Sequence, residues 1–149
     1  DYHQVAAAHK LVQHQATLKD ECYYPVPFHC TASGKTFLAS LPKLRRKKMI
    51  ENIDLEAFTD RTHTTIASIE VELQAIRRDG FSLDREEFYH GMVAIAVHVT
   101  DGMGRYFAAL ACYGPVQRFS LADAEARKSL LLNASAEISA SLFGISHGE

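Results

Sequence analysis

The 149 residues include 47% hydrophobic and 23% charged side chains, a balance typical of one globular domain and not of a disordered chain. The net charge of −2 gives no general reason to bind nucleic acid, and the longest apolar run, residues 92–97, is too short to cross a membrane. The three cysteines form no Cys-x-x-Cys pair, which fits a reducing cytosol, so we expect a cytoplasmic protein without a disulfide scaffold.

The first 24 residues are the least informative part of the chain. Residues 1–18 combine helix-favouring alanines with a Leu-Val pair that suits a strand, and residues 19–24 resemble a connection. His3, His9 and His14 are spaced by six and five residues, so they share no helical face. We interpret them as surface or internally bonded histidines and not as metal ligands.

The stretch over residues 28–39, which contains the turn at residues 31–34, organises the rest of the chain. Two prolines hold the preceding segment extended, and Thr31 and Ser33 are good N-caps for a helix over residues 31–41. The free N–H groups at a helix N-terminus favour an anion such as a phosphate or a carboxylate. We therefore predict that this turn forms one wall of a small-molecule site. The alternative is a well-capped surface helix that binds nothing.

Part of this turn matches a nucleotide-binding motif. Gly34-Lys35-Thr36 fits the end of the P-loop pattern G-x-x-x-x-G-K-[ST], but His29 stands where the first glycine is needed to wrap the phosphates. We therefore reject nucleotide hydrolysis.

Two further helices are predicted before residue 80. Pro42 opens the first, which is strongly basic through Lys43, Arg45, Arg46, Lys47 and Lys48. It also has an apolar side, consisting of Leu44, Met49, Ile50 and Ile53. This combination favours a solvated helix face over a nucleic-acid patch. Thr64 or Thr65 caps the second helix, and Gly80 ends it after Ile66, Ile69, Leu73 and Ile76 at helical spacing.

A hairpin follows a short strand over residues 81–84 and a charged loop over residues 85–90. Its strands are residues 92–100 and 105–113, joined by a turn rich in glycine. If the hairpin is symmetric about residues 102 and 103, Met92 faces Tyr113, Ala94 faces Ala111 and Ala96 faces Ala109.

These six side chains share one face of the hairpin, and most of them are alanine. Because packed interiors tolerate few voids, either a closely packed helix or a ligand must fill the space beside this face. A one-residue change of register would move these side chains to the opposite face.

A last helix is predicted from Ser120, with Asp123 as its capping-box partner, to Gly144. Its expected buried face consists of Leu121, Ala124, Leu131, Ala134, Ile138 and Leu142.

Four segments together resemble the signatures of a known family. PFHCTASGK at residues 27–35 resembles P-L-H-A-T-A-x-G-K, and IRRDGFSLDREEF at residues 76–88 is similar to I-R-x-x-G-[YF]-x-x-D-x-E-E. GMVAIA at residues 91–96 and ALACYGP at residues 109–115 resemble G-V-x-C-I-A and A-L-S-V-S-G-P. Order and spacing agree from residue 24 to residue 144, so the chain resembles the effector-binding domain of IclR-family transcription regulators.

The resemblance implies an α+β, GAF/PAS-like fold with a central antiparallel sheet of about five to six strands and helices packed on its faces. It implies that residues 1–149 form one signal-sensing domain, without the family's N-terminal winged helix-turn-helix, which would make any contact with DNA. The expected partners are a small organic acid and a second or further copies of the chain, as a homodimer or homotetramer. We expect no cofactor, no metal and no membrane partner.

Carried over position by position, the resemblance assigns effector binding to Thr31, Ala32, Ser33, Gly34, Asp84, Met92, Ala94, Ala111 and Tyr113. Ala94 stands where the family commonly has Cys, and Tyr113 stands where Ser is common. The bulkier Tyr113 would narrow the pocket or stack on an aromatic acid. We interpret His90 as a solvent-exposed loop residue.

The sequence has features of two other functions. A thiol-dependent enzyme on the same scaffold would use Cys30, which lies near a helix N-terminus, whereas Cys112 alternates away from the predicted pocket face. No partner base is placed by a motif, so we expect no catalysis. A nucleic-acid binder would use the basic helix, and we expect no DNA retention at physiological salt.

Overall fold

The computed structural model describes residues 26–144. The expectations for residues 1–18, for the three histidines in that segment and for residues 19–24 lie outside the described residues. The elements are α1 (Ala32–Ser40), α2 (Lys43–Asn52), α3 (Ile66–Asp79), β1 (Ser82–Arg85), β2 (Met92–Thr100), β3 (Tyr106–Pro115), α4 (Leu121–Ala126) and α5 (Lys128–Phe143).

The sheet of the described residues has three antiparallel strands in the order β1-β2-β3, and helices lie on both of its faces. Helix α1 packs against β2, β3 and α3 on one face. On the other face α4 and α5 cover a core that includes Val93, Ile95 and Val97. This arrangement confirms the α+β class with helices on an antiparallel sheet. A sheet of five to six strands and the GAF/PAS-like assignment stay predictions for the whole chain.

The helix boundaries that depend on local hydrogen bonds are where the sequence predicts them. The Thr31 hydroxyl accepts from the Gly34 N–H, and the Thr65 hydroxyl accepts from the Ser68 N–H. Gly80 ends α3 in the left-handed conformation, with φ of 80°. Ser120 and Asp123 form the predicted capping box.

The last helix was predicted wrongly as continuous. It breaks at Arg127, which closes α4 and precedes α5. The buried line of α5 contains Leu131 together with Ser135 and Ser139, whereas Leu142 is exposed. Ser135 suits the interior because its hydroxyl donates to the His98 carbonyl at 2.7 Å.

The hairpin register was also predicted wrongly. Ala94 pairs with Tyr113, Ala96 pairs with Ala111 and Met92 pairs with Pro115, so β3 slides by two residues and continues past residue 113. The cause lies at the turn, where Asp101 accepts from the backbone N–H groups of Met103 and Arg105, and where the ladder is irregular between Val99 and Thr100. A slide of two residues keeps every side chain on its predicted face.

The basic helix α2 differs from its prediction at two positions. Leu44 was assigned to the apolar side but is exposed, and Arg46 is buried, with its guanidinium donating to the Leu41 carbonyl at 3.0 Å. The other four basic side chains lie on the solvated face. No helix within residues 26–144 has the length and apolar character that crossing a membrane requires.

Candidate functional site

The turn that starts α1 is held by its own hydrogen bonds and by close packing. The Thr31 hydroxyl donates to the Pro27 carbonyl at 2.8 Å and accepts from the Gly34 N–H at 3.1 Å. A Cβ at Gly34 would lie 2.6 Å from the Phe28 Cα atom, so only glycine fits there. Ala32 and Ser33 are the first two helical residues, and their N–H groups have no acceptor within the helix. These two amides are therefore the ones that an anion could use.

The sheet brings the other five predicted residues onto one face. Asp84 pairs with Ala94, and Ala94 pairs with Tyr113, so the three side chains lie side by side on one face. Asp84 is buried, Ala94 is half-buried and Tyr113 is 67% exposed. Met92 and Ala111, the neighbouring residues on the same face, are half-buried.

Helix α1 covers one part of the alanine face and leaves the other part accessible. The Ser82 hydroxyl donates to the Ala32 carbonyl and lies 2.6 Å from the Thr36 hydroxyl, which ties α1 to β1 beside Ala96. Ala96 and Ala109 are buried, and at Ala96 the close packing of α1 is the correct interpretation. Asp84 is two residues beyond Ser82 on the same face, about 7 Å along the strand. The turn and the accessible row of side chains are therefore neighbours.

The Asp84 carboxylate serves the fold and also sets the electrostatics of this row. Its Oδ1 atom accepts from the Glu87 N–H at 2.7 Å. Burial raises the pKa of Asp84 to about 6, the backbone N–H groups of Glu87 and Phe88 act against the rise, and the Glu87 charge adds to it. The carboxyl group is therefore mostly ionised at neutral pH and gains a proton in mildly acidic solution.

Cys30 is fully buried beside this row. Burial raises the pKa of the Cys30 thiol to about 12, and the nearby charges of Asp84 and Glu87 add to the rise. The thiol therefore stays protonated and inaccessible, which is the reverse of what a nucleophilic cysteine needs.

The sequence predictions missed a buried ion network centred on Lys35. Its Nζ atom is fully buried and donates to the Leu83 carbonyl at 2.6 Å, to Glu87 Oε1 at 2.7 Å and to Glu72 Oε1 at 2.8 Å. Burial would raise the pKa of Glu72, but the Lys35 and Arg85 charges outweigh it and lower that pKa.

Lys35 therefore joins α1 to α3 and β1 and keeps no proton for a ligand, unlike the lysine of a P-loop. Its spacing could have revealed this role, because Lys35 lies three residues after Ala32 and three before Leu38, on the buried side of α1.

The two histidines that the sequence analysis named within residues 26–144 differ in burial. His29 is buried, and its Nε2 atom lies 2.9 Å from the Glu56 carbonyl oxygen. His90 is exposed, in agreement with its interpretation as a loop residue, and lies 3.8 Å from an Asp60 oxygen.

A cleft of about 280 Å³ lies beside the turn and contains none of the nine predicted site residues. Its walls are residues 26–29, Asn52 at the end of α2, and the connection between α2 and α3, which contributes Ile53, Asp54, Glu56 and Phe58. The predicted site and this cleft are thus two separate features.

Comparison with known proteins places this geometry in a family. Residues 9–140 match the family model described as bacterial transcriptional regulator IclR, C-terminal. The HTH-type transcriptional regulator BhcR of Paracoccus denitrificans is 36% identical over 111 residues, which are 74% of this chain and 40% of that protein. This chain thus spans about two fifths of the length of the curated relatives that it matches.

Solved structures agree with the family model. The C-terminal domain of the Escherichia coli regulator KdgR is 31% identical, with a TM-score of 0.73 over 79% of this chain and 72% of that one. A double mutant of the inducer-binding domain of the Acinetobacter transcription factor PobR, in complex with 3-hydroxybenzoic acid, is 28% identical, with a TM-score of 0.73 over 82% of this chain and 75% of that one.

Proposed function

Because this chain belongs to the IclR family, as its C-terminal effector-binding domain, we propose that it senses a small organic acid between the start of α1 and one end of the sheet. The proposed site consists of the nine residues assigned above: Thr31, Ala32, Ser33, Gly34, Asp84, Met92, Ala94, Ala111 and Tyr113. The observation that carries the proposal is the pair of half-buried alanines, Ala94 and Ala111, on the sheet face beside a helix N-terminus whose first two N–H groups have no acceptor within the helix.

The proposed site has two walls of different chemistry, the polar start of α1 and the largely apolar face of the sheet. The proposed ligand matches both. A carboxylate accepts from the N–H groups of Ala32 and Ser33 and from the Ser33 hydroxyl, where the helix dipole favours an anion. The apolar body of the ligand lies on Met92 and the alanines, and the exposed Tyr113 ring covers its outer side. An aromatic acid fits these walls, and the PobR domain in complex with 3-hydroxybenzoic acid supports this class of ligand.

Asp84 limits which part of the ligand lies beside it. An ionised carboxylate of the ligand avoids Asp84, so we assign Asp84 to accept a hydrogen bond from a ligand hydroxyl or, in acidic solution, to meet the ligand as a protonated acid. This places the carboxylate of the ligand at the turn and its polar substituent at β1.

The proposed output is a change in how copies of the chain associate. In the full-length regulator, a homodimer or homotetramer of these domains would set the spacing of winged helix-turn-helix heads on DNA in the bacterial cytoplasm. A ligand shifts such an equilibrium only by its differential affinity for the two arrangements. The ligand therefore acts as an inducer or a corepressor according to which arrangement binds DNA.

A thermal-shift screen tests the site. The chain is heated with a panel of organic acids that includes 3-hydroxybenzoate, and a ligand raises the unfolding temperature by mass action. We expect Ser33→Asp to abolish the response, because a carboxylate at residue 33 repels the ligand and occupies its amides. Ser129→Asp is the matched control, since Ser129 is the second residue of α5 as Ser33 is of α1, and Ser129 is exposed.

The control should respond like the wild type. If the wild type responds to no acid, or if Ser33→Asp responds as strongly as Ser129→Asp, the assigned site is wrong.

The two alternatives receive no support from the structure. A thiol-dependent enzyme would need Cys30 exposed and ionised, and Cys30 is neither. The relatives are transcriptional regulators and not enzymes. A nucleic-acid patch on α2 would lack Arg46, which is buried.

A further inference from the structure

The Glu87 carboxylate has one oxygen whose surroundings are unusual. Glu87 is 2% exposed, and its Oε1 atom accepts from Lys35. Within residues 26–144, its buried Oε2 atom has no hydrogen-bond donor. Leaving a buried acceptor without a donor costs about 1–3 kcal/mol, and more for a charged group. A donor or a cation bound at this oxygen would remove that cost.

Other metal-binding side chains face this oxygen. The Nε2 atom of His63 lies 3.8 Å from Glu87 Oε2, and a Glu72 carboxylate oxygen lies within 4.8 Å of both groups. The three residues come from separate segments: His63 from the connection between α2 and α3, Glu72 from α3 and Glu87 from the connection between β1 and β2.

An imidazole and two carboxylates form a ligand set that suits zinc. In a tetrahedral zinc site with bonds of about 2.0–2.2 Å, the ligand atoms are about 3.3–3.6 Å apart. The separations of 3.8 Å between His63 and Glu87 and of up to 4.8 Å to Glu72 must shorten to that distance when an ion binds. An oxygen-only cation such as Mg²⁺ would gain little from the imidazole.

We propose that His63, Glu72 and Glu87 bind a divalent transition-metal ion, with Zn²⁺ as the fitting example and water as the fourth ligand. This site shares no residue with the proposed effector site and does not depend on that function. The ion gives Glu87 Oε2 the positively charged partner that it lacks among residues 26–144. It also joins three segments that are separate in the sequence.

Two cations already lie at this cluster, and they determine how the ion enters. Lys35 Nζ is fully buried and lies 2.8 Å from Glu72 Oε1 and 2.7 Å from Glu87 Oε1. Arg85 lies 3.0 Å from Glu72 Oε1, but its side chain is 43% exposed, so it can move into solvent. The metal therefore displaces Arg85 from Glu72, while Lys35 stays in place on the Oε1 atoms of the two glutamates.

Titration of the 149-residue chain with Zn²⁺, and with Co²⁺ followed by its visible absorption, tests the site. The chain has eight histidines, so the matched control is His98→Ala, which removes an exposed histidine from β2. We expect His63→Ala to weaken binding at this site at least about tenfold, since loss of even an outer-shell partner costs 10–100-fold, and His98→Ala to leave it unchanged. Mg²⁺ should not compete.

The charge assignment has its own variant. Arg85→Gln removes the competing cation and leaves the three proposed metal ligands unchanged. This variant should therefore bind Zn²⁺ more tightly than the wild type. Circular dichroism of each variant shows that it is folded. The proposal is overturned if the wild type binds no Zn²⁺, if His63→Ala binds as well as His98→Ala, or if Arg85→Gln binds more weakly than the wild type.

Discussion

Replacing Lys35 by methionine tests whether the buried ion network holds the domain together. Methionine approximates the length and volume of lysine but removes the ammonium that bonds to Glu87, Glu72 and the Leu83 carbonyl. Glu87 then keeps a buried charge without its partner, and breaking a buried pair in this way costs about 3–5 kcal/mol. Glu72 retains Arg85 and adds little to this loss.

The measurement is urea-induced unfolding followed by circular dichroism, supported by thermal unfolding. A loss of about 3–5 kcal/mol corresponds to a fall in unfolding temperature of roughly 10 °C for a domain of this size. The matched control is Lys47→Met, since Lys47 is 67% exposed and lies 3.9 Å from Glu51 in a surface pair. Such pairs contribute less than about 1 kcal/mol.

A loss below about 1 kcal/mol for Lys35→Met, or a loss equal to that of Lys47→Met, would refute the assigned role. The network would then be a set of close contacts with no net effect on folding.

Three further outcomes follow from the same region. Gly34→Ala should lower the free energy of unfolding by about 1–3 kcal/mol, because its Cβ meets the Phe28 backbone; an unchanged urea midpoint would contradict this packing. Because burial raises the pKa of Asp84 to about 6, the folded chain holds a proton that the unfolded chain has released between about pH 4 and pH 6. The wild type should therefore lose stability relative to Asp84→Asn as the pH rises through that range, and an opposite slope in urea unfolding at several pH values would show the assignment to be wrong. The Cys30 thiol should resist a thiol reagent in the native state and react once the chain is unfolded, and fast native reaction at Cys30 would restore the enzyme hypothesis.

The sequence by itself determined four of the helix ends and the faces of the strands in the hairpin. Thr31, Thr65, Gly80 and Ser120 act through hydrogen bonds or backbone conformations within a few residues, so their neighbours in sequence are sufficient to predict them. The two-residue periodicity of β2 likewise assigned its side chains to the correct faces. The error in register was two residues, so it left this assignment unchanged.

Only the tertiary structure decided how these elements meet. The hairpin register depends on the Asp101 hydrogen bonds in the turn and on an irregular ladder. The partners of Lys35 lie 37 to 52 residues away in sequence. Which alanines are covered and which stay accessible depends on where α1 lies on the sheet. Such contacts join residues that are distant along the chain, and no local pattern encodes the distance between them.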